Sequence, residues 1–199
     1  MKTILKIVAI CGLLVGLFWF GSVLSDRKTL SEDIIRLHVV ANSDSEEDQA
    51  VKLKVRDAIT ERLTGIMEQL PTAKEARSYI IGHVEELEAV ANNVLKEFGS
   101  LDTARITLTE EQFDTRHYET FSLPAGVYES LRVTIGKGEG QNWWCVVFPS
   151  LCSGNFADTA AGSGFNSELS GALEGERQYE IRFFFLDLLG RVQNFFHGN

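Results

Sequence analysis

The chain has 199 residues, 44% of them hydrophobic and 24% charged, which is enough apolar material for one domain with a sizeable core and too much for a disordered chain. Its formal charge is -9, and no basic run exists beyond the extreme N-terminus, so nucleic acid is excluded as a partner: phosphates demand clustered Lys and Arg. The four histidines (His38, His83, His117, His197) are far apart and form no HExxH or CxxC-type spacing, so neither a metal nor another cofactor is expected.

Lys2 and Lys6 open the chain, and no charge follows from Ile7 to Ser25. A charged start and a long apolar run are the plan of an export signal, with Val23 and Ser25 small enough to flank a cleavage site before Asp26. The same run approaches the roughly 20 residues that cross a bilayer. Residues 1–25 are therefore read as a signal peptide or a membrane anchor, with membrane contact through that segment if it is not removed. Residues 26–152 are read as the core domain.

"DIIRLHVVANSD" is short and rich in β-branched residues, the pattern of a buried strand ending at Asn42. From Ser43 to Leu70, apolar residues recur at helical spacing (Val51, Val55, Ile59, Leu63), and Ser43 with Glu46 suggests a capping box. Thr72 with Glu75 repeats that pattern ahead of a second helix reaching about Phe98, so the two form a hairpin around Pro71. Period-two segments then predict strands at "ARITLT", "THYETFSLPAG", "GVYESLRVTIGKG" and "NWWCVVF". Residues 153–177, rich in Gly, Ser and Ala, read as a flexible loop, and 178–199 as a C-terminal helix packed on the core. The expected fold is α+β: signal or anchor helix, strand, helical hairpin, antiparallel meander of three to four strands, and C-terminal helix, with helices on one side of the sheet.

Trp143 and Trp144 are adjacent on a strand and so must face opposite sides. One fills the core; the other meets the C-terminal aromatic segment or a partner, and tryptophan is enriched where partners bind tightly. Past the leader, two cysteines remain, Cys145 and Cys152. Export permits a disulfide between them. Two unbridged thiols are the alternative, as is a nucleophilic Cys145 with His38 or His117 as base, although a strand interior is a poor place to lower a thiol pKa.

Three segments, "IRLHVVANSDSEEDQAVKLKVRDAI" (Ile35–Ile59), "PAGVYESLRVTIGKGEGQNWWCVVFPSLC" (Pro124–Cys152) and the ending "IRFFFLDLL", resemble the stage II sporulation protein R family. The resemblance implies a non-enzymatic signalling protein, exported from the forespore into the intermembrane space. The partner it implies there is a membrane-embedded aspartic protease on the mother-cell side, expected to be activated to process pro-sigma-E. The expected partner surface is Asn142, Trp143 and Trp144, with Asn42, Ser43 and Asp44 at the end of the first strand, since strand-terminal loops are free to make contacts. The competing reading is a secreted hydrolase dependent on Cys145 and a histidine.

Overall fold

The computed structural model describes residues 1–151 and 165–197. Strand β1 (Ile35–Val40) organises the architecture, because all six of its residues are buried. It lies inside a four-stranded sheet with β2 (Ala104–Phe113), β5 (Gly126–Ile135) and β6 (Asn142–Phe148), in the order β2-β5-β1-β6. Strand β1 runs parallel to β5, with Leu37 opposite Leu131, and antiparallel to β6, with Leu37 opposite Cys145. The fold is α+β as expected, but the sheet is mixed and not a meander of sequence neighbours. A parallel pair needs a long crossover, and the helices between β1 and β2 supply it.

One sheet face carries Leu37, Val39, Ile106, Leu131, Val133 and Val147 and packs under α2 (Glu46–Met67), α3 (Ala73–Gly82) and α4 (Val84–Glu97). These helices bury the expected stripe, including Val55, Ile59, Leu63, Ile80, Leu87 and Ala91. Two local details differ. The N-cap of α2 is Ser45, which accepts from the Asp48 amide, not Ser43 with Glu46. The second helix is interrupted at His83 (φ -125, ψ 15), whose ring stacks on Tyr79 and hydrogen-bonds the Tyr79 carbonyl at 2.8 Å. That local bond competes with the helical ladder.

The other face carries Phe113, Tyr128 and Val146 and is covered by α1 (Lys2–Asp33), α5 (Ser167–Glu174) and α6 (Glu180–His197) through Val23, Leu30, Leu169, Leu173 and Leu186. Helices thus cover both faces of the sheet, in place of the single layer expected. Helix α5 falls in the segment read as a loop; it is capped by Asn166, whose side chain accepts from the Leu169 amide. The strand expected at "THYETFSLPAG" is a ribbon of two short strands, β3 (Arg116–His117) and β4 (Ser122–Leu123).

Helix α1 is long and apolar enough to cross a membrane, by length and composition. Its last turns belong to the domain. It passes unbroken through the boundary expected at residue 25, and Val23, Asp26, Arg27 and Leu30 are buried. Asp26 accepts from Arg182 of α6 at 2.6 Å and from Asn166 at 2.9 Å, while Arg27 donates to Tyr128 at 3.0 Å and to Gln193 at 2.8 Å. Both side chains of the Asp26–Arg182 pair are about 5% exposed or less. A buried pair stabilises little against an apolar isostere, but breaking it strands a charge. Arg182→Met is therefore expected to cost about 3–5 kcal/mol, read as a lower denaturation midpoint in detergent. Adding Asp26→Leu should restore much of that loss.

Candidate functional site

Pairing of Val40 with Asn142 brings the end of β1 beside the start of β6. The two stretches singled out in the sequence, 42–44 and 142–144, therefore lie at one end of the sheet. Asn42 and Ser43 donate to the Asp48 carboxylate at 3.0 and 2.5 Å, and the Ser43 hydroxyl is foremost in holding that acid below the usual carboxylate range. The glycine-rich turn before β6 docks on the same residues. Lys137 N–H donates to Asn42 Oδ1 at 3.0 Å, and Gly140 N–H to the Ala41 carbonyl at 2.9 Å. Two glycines permit this: Gly136 has φ +56, and a Cβ on Gly140 would stand 2.2 Å from the Ser43 carbonyl oxygen. Lys52, buried with its pKa lowered by desolvation, ties α2 to the turn through the Gln141 carbonyl at 3.0 Å. Asp44 is exposed.

The tryptophans separate as strand geometry requires. Trp143 joins the α2 side, where the Arg56 guanidinium lies 4.7 Å from its ring centroid, at the wall of an open groove of about 680 Å³ along Thr60 and Thr64. Trp144 joins the opposite face. There it stacks on His38 (centroids 5.6 Å apart, 20° between planes), and Arg116 of β3 lies over its ring at 3.7 Å. Cover for Trp144 thus comes from a histidine and an arginine. Arg116 and His38 make it a half-buried plate held by a charge and a ring.

His38 is held at both ring nitrogens. Nε2 lies 2.8 Å from Asn142 Oδ1, and Nδ1 meets the Glu111 carboxylate at 3.1 Å. Glu111 also accepts from Arg132 at 2.7 Å. Burial alone would raise the Glu111 pKa, but the contacts with His38 and Arg132 pull it down to about 2. Reasoning from sequence missed this network. Its one available signal was a histidine and an arginine inside an otherwise apolar strand.

That arginine is Arg36, fully buried and, among the described residues, without an ion-pair partner. It donates to the Tyr118 hydroxyl at 2.8 Å and lies 3.8 Å from the Phe113 ring centroid, while Nε and Nη1 have no partner among the described residues. Desolvation lowers its pKa.

Cys145 is buried and disulfide-bonded; its expected partner, Cys152, lies outside the described residues. Cys145 pairs with Leu37 on the face under α2 to α4, whereas His38 points to the other. His117 is likewise elsewhere, hydrogen-bonded to Ser122 at 2.8 Å. The thiol-and-histidine arrangement needed by a hydrolase is therefore not assembled at Cys145.

Fold and site together define a class: a small α+β domain on an apolar N-terminal helix, presenting an aromatic and polar sheet edge. Residues 31–158 match the family described as stage II sporulation protein R, and the chain belongs to that family. Over 132 residues it is 35% identical to the stage II sporulation protein R of Bacillus subtilis (strain 168), a stretch covering 66% of this chain and 59% of that relative. No solved structure matches the chain. The matched region contains the whole sheet and every residue of the candidate site.

Two outcomes follow from the network. A carboxyl whose pKa is depressed by folding stabilises fully above its unfolded value of about 4.5 and loses that contribution as pH falls towards 2. The stability gap between the native chain and Glu111→Gln should thus be present above about pH 4.5 and close on acidification across that window, as measured by denaturant titration at each pH. Tyr118→Phe should cost about 1–3 kcal/mol by stripping a buried guanidinium of its acceptor. Arg36→Met, which removes the charge itself, should cost less in the same assay.

Proposed function

We propose that this chain is an exported signalling protein of endospore formation. It acts between forespore and mother cell by activating a membrane-embedded aspartic protease that processes pro-sigma-E. The observation that carries this reading is the family match across residues 31–158, which spans the sheet and its recognition edge. The apolar helix α1 is compatible with export, as signal or as anchor. The edge supplies a contact surface in which exposed Asn142 is braced by His38 and Trp144 is backed by Arg116, so little side-chain entropy remains to be lost on binding. Asn42 and Ser43, fastened to Asp48, extend that surface around the end of β1.

The competing hydrolase reading has no support from geometry, since its nucleophile is bridged and faces away from His38. The test is processing of pro-sigma-E in sporulating cells carrying Trp144→Ala, Asn142→Ala or Cys145→Ser, with protein abundance followed by blot. Trp144→Ala should accumulate near normal levels while processing falls steeply, and Asn142→Ala should reduce it less. Normal processing in both overturns the recognition edge. Loss of processing in Cys145→Ser alone, at full abundance, would bring the hydrolase back.

A further inference from the structure

We propose that helix α6 lies in the membrane interface beside α1 and presents its outer face to lipid, giving the domain a second membrane contact. Ile181, Phe184, Leu188, Val192 and Phe195 follow one another at spacings of three and four, so they form one stripe along α6. They are between 43% and 68% exposed. A contiguous apolar stripe of that length is unusual on a water-facing surface and calls for an occupant.

The packing of α6 on α1 shows which occupant fits. Asp26 and Arg27, adjacent on α1, reach Arg182 and Gln193, which are eleven residues, or about 16 Å, apart on α6. The two helices therefore cross, and with α1 spanning a bilayer α6 lies across that direction. Rotation about α6 sets the facing. Gly190 sits against the Ala125 carbonyl and marks the domain side. Phe185 is turned from there towards the apolar end of α1, where its ring meets Trp19 edge-on at 5.3 Å. The exposed stripe lies beyond Phe185 in the same rotational sense.

The stripe is thus continuous, through Trp19 and Phe185, with the exposed apolar surface of α1 at Phe18 and Phe20. A tryptophan at that junction suits the level where hydrocarbon meets headgroups. An amphipathic helix in the interface plane buries its apolar face in just that layer. Around the helix from the stripe, Asp187 accepts from the Ala125 amide at 2.8 Å and from Arg191 at 2.7 Å, so the polar flank is engaged with the domain.

The proposal rests on α1 remaining in the membrane, and the experiment separates the two. The full chain is reconstituted in phosphatidylethanolamine–phosphatidylglycerol vesicles with an environment-sensitive fluorophore on native Cys11, which is exposed on α1. In a Cys11→Ser background, the same fluorophore is placed at Phe184→Cys or Val192→Cys on α6, or at Lys54→Cys on α2, with Cys11→Ser alone as the blank. Both α6 positions should show blue-shifted emission and lose most of it to doxyl-labelled lipid, as Cys11 does, while Lys54→Cys should report water and stay unquenched. Quenching at Cys11 with α6 positions matching Lys54→Cys overturns the lipid contact and leaves the anchor intact. Blue-shifted but unquenched α6 positions also overturn it, since protein then covers the stripe. An unquenched Cys11 overturns the anchor and, with it, this inference.

Discussion

Everything in this domain depends on β1 being hydrogen-bonded on both sides. Its six residues pair with β5 along one edge and β6 along the other, and none is left to solvent. A strand buried on both faces has to be covered by two layers, and the chain supplies them from opposite directions. The crossover helices α2 to α4 follow β1 and cover one face, while α1, which precedes it, is joined on the other by α5 and α6. The leader-like N-terminal helix is therefore structural at its end, since Val23 and Leu30 lie in the same core as Tyr128 and Leu186.

The two faces differ in chemistry, and the difference explains the site. Under α2 to α4 the sheet is mainly aliphatic and held chiefly by close packing, with Arg77–Glu129 and the bonds of Glu88 and Asn92 to β2 at its margin. The opposite face carries Arg36, His38, Glu111, Ser130 and Arg132 among its aromatics, an arrangement that is stable only if most polar groups find partners. Glu111 meets this condition by serving His38 and Arg132 together. Arg36 meets it incompletely, with one hydroxyl and two aromatic faces in place of a carboxylate. The strength of this polar layer is passed to the surface through His38, whose ring braces Asn142 and backs Trp144. Position at the edge is thus determined by groups inside.

What the residues disclosed on their own follows the range of the interactions involved. Helical stripes such as Val55, Ile59 and Leu63 are local, and they read correctly from spacing. So did the opposite facing of Trp143 and Trp144, which period two requires. The central place of β1 is a pairing between residues about ninety apart in the chain, and no local pattern encodes it. The break at His83 was hidden because the apolar stripe continues across it in phase, while the competing bond to Tyr79 leaves no trace in hydrophobicity. Helix α5 was missed because only Leu169 and Leu173 among its large residues are apolar and buried, in a run of small ones. The candidate edge was visible as two strand ends, but their adjacency came only with the Val40–Asn142 pair. His38, Glu111 and Arg132 could not be linked from sequence, since alternating polar residues on a strand ordinarily mean a solvated face.

The sheet is also polar along its length. Helix α1 meets it where β5 begins, with Arg27 at Gly126 and Tyr128, and α6 packs there too, Gly190 against Ala125. The proposed recognition edge sits at the other end, where β5 runs out into the turn that docks on Asn42. About 20 Å of strand separates them, six residues at roughly 3.3 Å each. A partner in the same bilayer as α1 would have to rise past the domain to reach Trp144. A partner approaching from a facing membrane would meet that edge first. The proposed role, a signal exported by one cell and read by a protease in the membrane of its neighbour, requires this second geometry. An anchored α1 would then do more than retain the protein: it would aim the edge outward and confine the search for the receptor to the gap, where effective concentration takes the place of intrinsic affinity.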